Sequence, residues 1–166
     1  MKKRKKNENK KDKEIDEELD VEFHEHHDES KVVSETHKEI NSHLCGEIEK
    51  LEFGYAELRL LTITEMVADN MDLIHGGFIF SAADYAAMLA VNKRNVILVA
   101  CDAQFLSPAK LGDIVIIKAT LKHKQGSKRN VNVTAFVGDI KIFEAEFKTV
   151  ITERHVLKLN LQDEAD

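Results

Sequence analysis

Asp84 is the residue whose position most strongly suggests chemistry, because it is a carboxylate inside an apolar run. The rest of the run from 75 to 91 consists almost entirely of apolar or small residues. Burying a carboxylate is costly unless it is paired or faces water, and partial desolvation makes it a stronger base. Asp84 is therefore a candidate general base or nucleophile in a pocket wall. The alternative is a buried aspartate with hydrogen-bond partners, or one that faces a solvent channel.

His75, Gly76 and Gly77 open the same run, where a helix would begin. The first N–H groups of a helix have no intrahelical acceptors, and the helix dipole favours negative charge there. Two glycines let a substrate approach the backbone closely. These features suit an oxyanion hole for a carbonyl group, with His75 orienting the loop. Asp84 follows His75 by nine residues, so it could instead serve the helix start of a partner subunit.

The element that carries these residues is predicted to be one long helix wrapped by strands. Its alanines favour a helix, and a helix without a polar face must be covered on all sides. Strand-like alternation precedes it in 47–64 and follows it in 96–106, 114–121, 131–137 and 143–151. This order predicts an α+β architecture, in which a curved antiparallel sheet wraps one central helix. Such a sheet leaves an apolar edge or face, so a dimer is expected.

Two local features before the helix are less definite. Residues 34–40 are consistent with a short helix that stops before Gly46. Gly54 could mark a hairpin between two strands or a bulge in one long strand.

The N-terminal segment, residues 1–31, differs in composition from the rest of the 166-residue chain. Residues 1–13 carry eight Lys/Arg against two Asp/Glu, and residues 14–31 carry nine Asp/Glu against one Lys. A segment with this many charges cannot bury enough apolar surface to become ordered. We therefore predict a disordered tail, followed by one domain over 32–166. The adjacent acidic block would compete for the lysines, so no specific nucleic-acid binding is expected.

A cluster in that tail, His24, His26 and His27, contains possible metal ligands. It lacks the spacing of a closed site and has no cysteine nearby, so no specific metal site is predicted. Cys45 and Cys101 are the two cysteines of the chain, and their apolar neighbours favour reduced, buried thiols. Neither a signal peptide nor a transmembrane run is recognisable. These observations together predict a cytoplasmic protein.

The segment 75–84, HGGFIFSAAD, resembles the signature of the PaaI-type acyl-CoA thioesterases of the hotdog-fold superfamily. The resemblance covers roughly residues 44–155. It implies that the Gly76 N–H polarises the thioester carbonyl and that Asp84 acts from the neighbouring subunit as general base or nucleophile. It also implies a homodimer or a dimer of dimers, with acyl-CoA at the subunit interface and no metal or other cofactor.

A second resemblance is to the acyl-CoA-binding effector domain of the FapR repressors of lipid synthesis. It rests on 46–51 (GEIEKL), 105–113 (FLSPAKLGD) and 135–139 (AFVGD). Flagella-co-regulated, virulence-associated hotdog proteins are also similar. Asp69 and Asp72 stand where PaaI-type enzymes usually carry an Asn and a Gly. The alternative to a thioesterase is therefore a module that binds or senses acyl-CoA without hydrolysing it.

Other residues are candidates for holding the substrate, chiefly its CoA phosphates. Gly77 lies at the predicted helix start, and Asn70 lies one residue from the position where an Asn is usual. Basic side chains in or beside turns could pair with phosphates, although each could equally be an ordinary solvated cation. These are Lys110, Lys128 and Arg129, with Lys93 and Arg94 just after the helix in a similar position.

Overall fold

The computed structural model describes residues 32–159. The predicted charged tail, with its histidine cluster, and residues 160–166 lie outside the described residues, so the predictions for them remain predictions. The described elements, in chain order, are α1 (Ser42–Cys45), β1 (Glu47–Glu52), β2 (Tyr55–Leu61), α2 (Gly76–Val91), β3 (Val96–Phe105), β4 (Ile114–Gln125), β5 (Lys128–Val137) and β6 (Ile140–Ile151). Single 3₁₀ turns lie at Thr64–Met66 and Val156–Lys158.

Helix α2 is the predicted central helix, and ten of its 16 residues are buried. Its length is about 24 Å, which spans the width of the sheet. The alanines allow the sheet to approach closely, and the side chains that fill the space around them come from four strands. The largest fully buried ones on those strands are Leu58, Leu60, Val115, Ile117, Val131, Val133, Phe143 and Phe147.

The six strands form one sheet in the order β1-β2-β4-β5-β6-β3, and all neighbours are antiparallel. Buried and exposed residues alternate along the strands, as in β2, because one face packs on α2. Gly54 lies in a hairpin between β1 and β2, which settles the choice between a hairpin and a bulge. The predicted α+β hotdog fold, a curved antiparallel sheet around one long helix, is confirmed.

The short helix before β1 stops at Gly46, as predicted, but it begins at Ser42 and not within 34–40. Residue His37 has a left-handed backbone with φ of 50°, which a helix cannot contain. The Ser34 hydroxyl donates to the carbonyl oxygen of Thr36 instead of capping a helix. Asn41 is the true cap, since its side chain accepts a hydrogen bond from the His43 N–H at 3.0 Å.

The two edge strands differ in character. Strand β1 carries the charged residues Glu47, Glu49, Lys50 and Glu52, which protect an edge from further pairing. Strand β3 is ten residues long and mostly apolar, and Val99 is 56% exposed. Phe105, at its end, is 58% exposed. A long apolar edge of this kind is a surface on which another strand can add.

Candidate active site

The start of α2 is fixed by a hydrogen bond within the His75–Gly76–Gly77 segment. His75 is the N-cap residue, and its Nδ1 accepts a hydrogen bond from the Gly77 N–H at 2.8 Å. The ring is therefore neutral with its proton on Nε2 when this bond is made. A Cβ atom on Gly77 would lie 2.7 Å from His75 Nδ1, so this contact requires a glycine. His75 thus holds the start of α2 through its side chain, and its predicted role at a catalytic site stays a prediction.

Gly76 presents the free donor of this segment. No acceptor for its N–H lies within residues 32–159, whereas the Gly77 N–H is already used by His75. The Gly77 N–H is therefore used by the helix cap, and its predicted contact with a substrate stays a prediction. The ring of Phe105 lies against Gly76, since a Cβ atom there would be 3.0 Å from Phe105 Cε1. A cavity of about 360 Å³, lined by Gly76, Phe105, Ile142 and neighbouring residues, opens at this point.

Asp84 lies in the third turn of α2. Its Oδ1 is the only buried side-chain oxygen or nitrogen without a hydrogen-bond partner among the described residues. Burial raises the pKa of its carboxyl group from 3.8 to about 6. The alternative interpretation, an aspartate whose buried oxygen is hydrogen-bonded within its own subunit, therefore does not hold for the described residues. A carboxyl group of this pKa is mostly ionised at neutral pH and is a stronger base than an ordinary aspartate, which suits a general base.

The surroundings of Asp84 place it toward the apolar edge of the sheet. Burial raises the pKa of the Cys101 thiol on β3, and the negative charges of Asp84 and Asp102 raise it further. Asp84 thus lies beside the edge strand. Eight residues of helix separate it from Gly76, which corresponds to about 12 Å along the axis. One subunit therefore cannot bring the Gly76 N–H and the Asp84 carboxyl group to the same carbonyl carbon.

The loop before α2 uses its aspartates for its own structure. Asp69 Oδ1 accepts hydrogen bonds from the N–H groups of Met71 and Leu73, at 2.9 and 3.2 Å. Asp72 adopts a left-handed backbone with φ of 62°, a conformation that Asp tolerates better than most residues other than glycine. Both side chains are exposed. Asn70 is also exposed and makes no side-chain hydrogen bond within residues 32–159, so its substrate-binding role stays a prediction.

The predicted basic residues do not converge in one subunit. Lys110 pairs with Leu73 next to the loop that leads into His75, so it lies near the helix start. Strand β5 begins at the opposite end of the sheet, beside the start of β3, so Lys128 and Arg129 lie near the end of α2. Arg129 donates to the carbonyl oxygens of Gly126 and Lys128 at 2.6 and 2.7 Å, which stabilises its own hairpin.

A second cavity beside the helix start was not predicted. It measures about 470 Å³ and is lined by Leu44, Cys45, Phe78 and Ser81, among others, together with His75 and Gly77. The Cys45 Sγ and Ser81 Oγ lie 3.3 Å apart within hydrogen-bonding distance, which joins α1 to α2. The sequence signals for this contact are the apolar context of Cys45 and its position just before the Gly46 stop. In the sequence, Phe105 stands out only as the first residue of the segment 105–113.

Two further properties bear on the site. Within residues 32–159 no group of three or more His, Cys, Asp or Glu side chains is placed to hold a metal ion. No helix in the described part of the chain is long and apolar enough to cross a membrane.

Comparison with protein families gives a match to the thioesterase superfamily over residues 71–143. Among curated proteins, methylthioribose-1-phosphate isomerase of Aquifex aeolicus is 51% identical over 115 residues, which are 69% of this chain and 25% of the isomerase. Transcription factor FapR of Thermoanaerobacter sp. is 28% identical over 69% of this chain and 58% of that protein. This chain thus spans a quarter of the isomerase and little more than half of FapR.

Acyl-coenzyme A thioesterase PaaI of Escherichia coli is 32% identical over 106 residues, which cover 63% of this chain and 70% of that enzyme. Helix α2, with His75, Gly76 and Asp84, falls inside the range of the family match.

Solved structures share the fold. A protein from Pyrococcus horikoshii superposes with a TM-score of 0.75 at 40% identity, covering 76% of this chain and 97% of that one. A sigma28-regulated virulence protein from Campylobacter jejuni gives 0.73 at 36% identity, covering 75% and 89%. A Streptococcus mutans protein bound to acetyl CoA gives 0.64 at 20% identity, covering 71% and 97%, and that similarity concerns the fold alone.

Proposed function

Because this chain belongs to the thioesterase superfamily of hotdog-fold proteins, we propose that it binds acyl-CoA thioesters and hydrolyses them at sites shared by two subunits. The observation that carries the proposal is the Asp84 carboxyl group, whose Oδ1 is buried without a hydrogen-bond partner among the described residues and whose pKa is raised to about 6. Such a group is costly to keep, and a role as catalytic base accounts for it. The similarity to the thioesterase PaaI supports the choice of substrate.

The proposed dimer forms through the β3 edge. Pairing this strand antiparallel with its copy would cover Val99 and extend the sheet across both subunits. The two-fold axis of such a pair brings the Phe105 end of one strand beside the Val96 end of the other. Because Asp84 lies toward β3, the same arrangement carries it toward the helix start of the partner subunit. A dimer of dimers is compatible with this pairing.

The proposed reaction begins with the thioester carbonyl oxygen accepting a hydrogen bond from the Gly76 N–H. This donor lies at the positive end of the α2 dipole, where the developing oxyanion is stabilised. Asp84 of the partner subunit takes a proton from a water molecule, whose oxygen attacks the carbonyl carbon. The C–S bond then breaks, and the CoA sulfur leaves and is protonated as the free thiol. The products are a carboxylic acid and CoA.

A variant of this chemistry uses Asp84 as a nucleophile. Its carboxylate would attack the carbonyl carbon and release CoA, and water would then hydrolyse the resulting anhydride. Both routes consume one water molecule and need no metal or other cofactor. The Gly76 N–H has the same task in both.

A second candidate function is acyl-CoA binding without hydrolysis, in a sensing or regulatory module. The observation that favours it is the similarity to transcription factor FapR, at 28% identity over 69% of this chain. Asp69 and Asp72 are not evidence for the sensing module. Asp69 accepts a hydrogen bond within the loop, and Asp72 occupies a left-handed backbone position there.

Hydrolysis and binding measured on the same protein separate these functions. Release of free thiol is followed with a panel of acyl-CoAs of differing chain length, for the wild type and Asp84→Asn, and binding is measured by calorimetry with the same compounds. Hydrolysis that falls by about 10²–10⁴ in the variant while binding persists supports the thioesterase. Tight binding without wild-type turnover supports the sensing module. No binding of any acyl-CoA would contradict both.

A further inference from the structure

A polar pocket lies at the far end of α2 from His75. It measures about 270 Å³, and its polar lining comes from Thr36, His37, Arg94, Asn95 and His155. Three separate parts of the chain meet there, namely the segment before α1, the turn between α2 and β3, and the segment after β6. None of the residues assigned above to catalysis lines this pocket.

The pocket is held together by side-chain hydrogen bonds. Asn92, the left-handed cap of α2, accepts a hydrogen bond from the Glu35 N–H at 2.8 Å and donates to the carbonyl oxygen of Val33 at 3.0 Å. Asn95 donates to the carbonyl oxygen of Glu153 at 3.3 Å, and its own carbonyl oxygen accepts from the Thr152 N–H at 2.9 Å. The three parts of the chain are thus fixed to the end of α2.

The chemistry of the lining suits an anion. No Asp or Glu lines the pocket, and Arg94 has no ion-pair partner within residues 32–159. His155 Nδ1 accepts a hydrogen bond from the Leu157 N–H at 3.2 Å, so its proton is on Nε2, a donor. His37 lies 2.6 Å from the Thr36 hydroxyl, and burial lowers the pKa of its ring.

A guanidinium group with imidazole N–H donors is a combination that proteins use for phosphate. The last carbonyl groups of α2 oppose an anion nearby, so Arg94 must supply the attraction.

The proposed dimer places this pocket beside the other subunit's active site. Arg94 lies two residues before β3, and Phe105 at the other end of that strand lies against Gly76. Antiparallel pairing of β3 with its copy sets the first residues of one strand next to the last residues of the other, about 5 Å apart. The Arg94 pocket of one subunit is therefore near the Gly76 cavity of its partner.

We propose that this pocket binds the phosphorylated nucleotide end of a CoA molecule whose thioester lies at Gly76 of the partner subunit. The inference rests on the proposed function, because it assumes CoA as the ligand and β3 as the interface. It assigns the phosphate contact to Arg94 rather than to Lys128 or Arg129, whose hairpin does not line the pocket.

The test is calorimetric binding of CoA, 3′-dephospho-CoA and pantetheine to the wild type, Arg94→Gln and Arg154→Gln. Arg154 is the matched control, since it is an exposed arginine next to His155 and is absent from the pocket lining. We expect Arg94→Gln to weaken CoA binding roughly tenfold or more, because a charge-assisted contact to phosphate is lost. Pantetheine, which has no nucleotide, should bind both variants like the wild type. The loss for 3′-dephospho-CoA tells whether the 3′-phosphate or the diphosphate makes the contact.

The outcomes separate this inference from the proposed function. Equal affinity of the wild type and Arg94→Gln for CoA would overturn the inference alone. An equal loss of CoA and pantetheine binding in Arg94→Gln would also overturn it, since Arg94 would then act through the fold. A wild-type protein that binds neither CoA nor pantetheine would contradict the proposed function as well.

Discussion

Asp84 and Gly76 lie on the same helix, with about 12 Å of helix axis between the residue whose carboxyl Oδ1 is buried without a partner and the residue whose N–H is free. In the proposed reaction the Gly76 N–H donates to the carbonyl oxygen of the substrate, and the Asp84 carboxylate acts near the carbonyl carbon. A separation of this size cannot serve one thioester group. The proposed activity therefore depends on two copies of α2, each of which supplies one half of every site.

The Gly76 N–H can be removed with little change to the helix. We expect Gly76→Pro to lower kcat by about 10²–10³, because proline has no N–H and one oxyanion donor is lost. Proline is well accepted at the first position of a helix, and His75 before it has the extended backbone that proline requires. Stopped assays of thiol release measure the effect.

Gly76→Ala is the matched control for that change. Its Cβ atom meets the Phe105 ring at 3.0 Å, as the proline ring also would, but the N–H is kept. We expect it to retain activity within roughly tenfold, since the exposed ring can move and the donor is intact. Equal losses in the two variants would mean that the Gly76 N–H is not the donor.

The pH dependence of hydrolysis should follow the ionisation of Asp84. With a pKa of about 6, the carboxylate is the active form and is lost as the pH falls below that value. We expect kcat/KM to fall about tenfold per pH unit below the pKa and to level off above it. A profile that stays flat down to the ordinary pKa of an aspartate would contradict the assignment of the base.

Ionisation of Asp84, which should increase the rate of hydrolysis, should decrease the free energy of unfolding. Its pKa is raised from 3.8 to about 6, so the folded state favours the protonated form. The contribution is fully present below the lower value and is lost as the pH rises through the higher one. We expect the free energy of unfolding of Asp84→Asn, measured relative to that of the wild type, to rise by roughly 2 kcal/mol as the pH increases from about 4 to about 7. Urea unfolding measures this, and a difference that does not change with pH would contradict it.

The β3 edge should be needed for both assembly and activity. Val99 is 56% exposed on this strand, and a lysine there would place a charge in the proposed interface. We expect Val99→Lys to give monomers by analytical ultracentrifugation and to abolish hydrolysis. Ile48→Lys is the control on the other edge strand, where Ile48 is 42% exposed among charged neighbours. Active Val99→Lys monomers would rule out a shared site.

Much of the fold could be predicted because the hydrophobic periods of the strands and the apolar run of α2 are local signals. The start of the short helix is not predictable in the same way, because it depends on the backbone of His37 and on the cap at Asn41, and several nearby residues are equally good cap candidates. The residues of the proposed catalytic pair, Gly76 and Asp84, are recognisable from residue type and spacing, and their roles stay predictions. The contact between Gly76 and the Phe105 ring is not recognisable in this way, since it depends on the return of a strand 29 positions later.

The positions of the basic residues likewise depend on the strand order, which the sequence does not show. Lys110, Lys128 and Arg129 all lie at or near turns in the sequence, and only the strand order distinguishes the two ends of the sheet. Asp72 is a further example. A glycine and an aspartate differ greatly in charge, yet the position requires a left-handed backbone that both can adopt.

Mixed dimers of two inactive variants test the shared site most directly. Asp84→Asn keeps Gly76 intact and Gly76→Pro keeps Asp84 intact, so a dimer with one subunit of each has one complete site. Refolding the two proteins together in equal amounts should restore about one quarter of the wild-type activity, because half of the dimers are mixed and each has one working site of two. Mixed dimers confirmed by mass spectrometry that remain inactive would contradict the account, as would either variant being fully active alone.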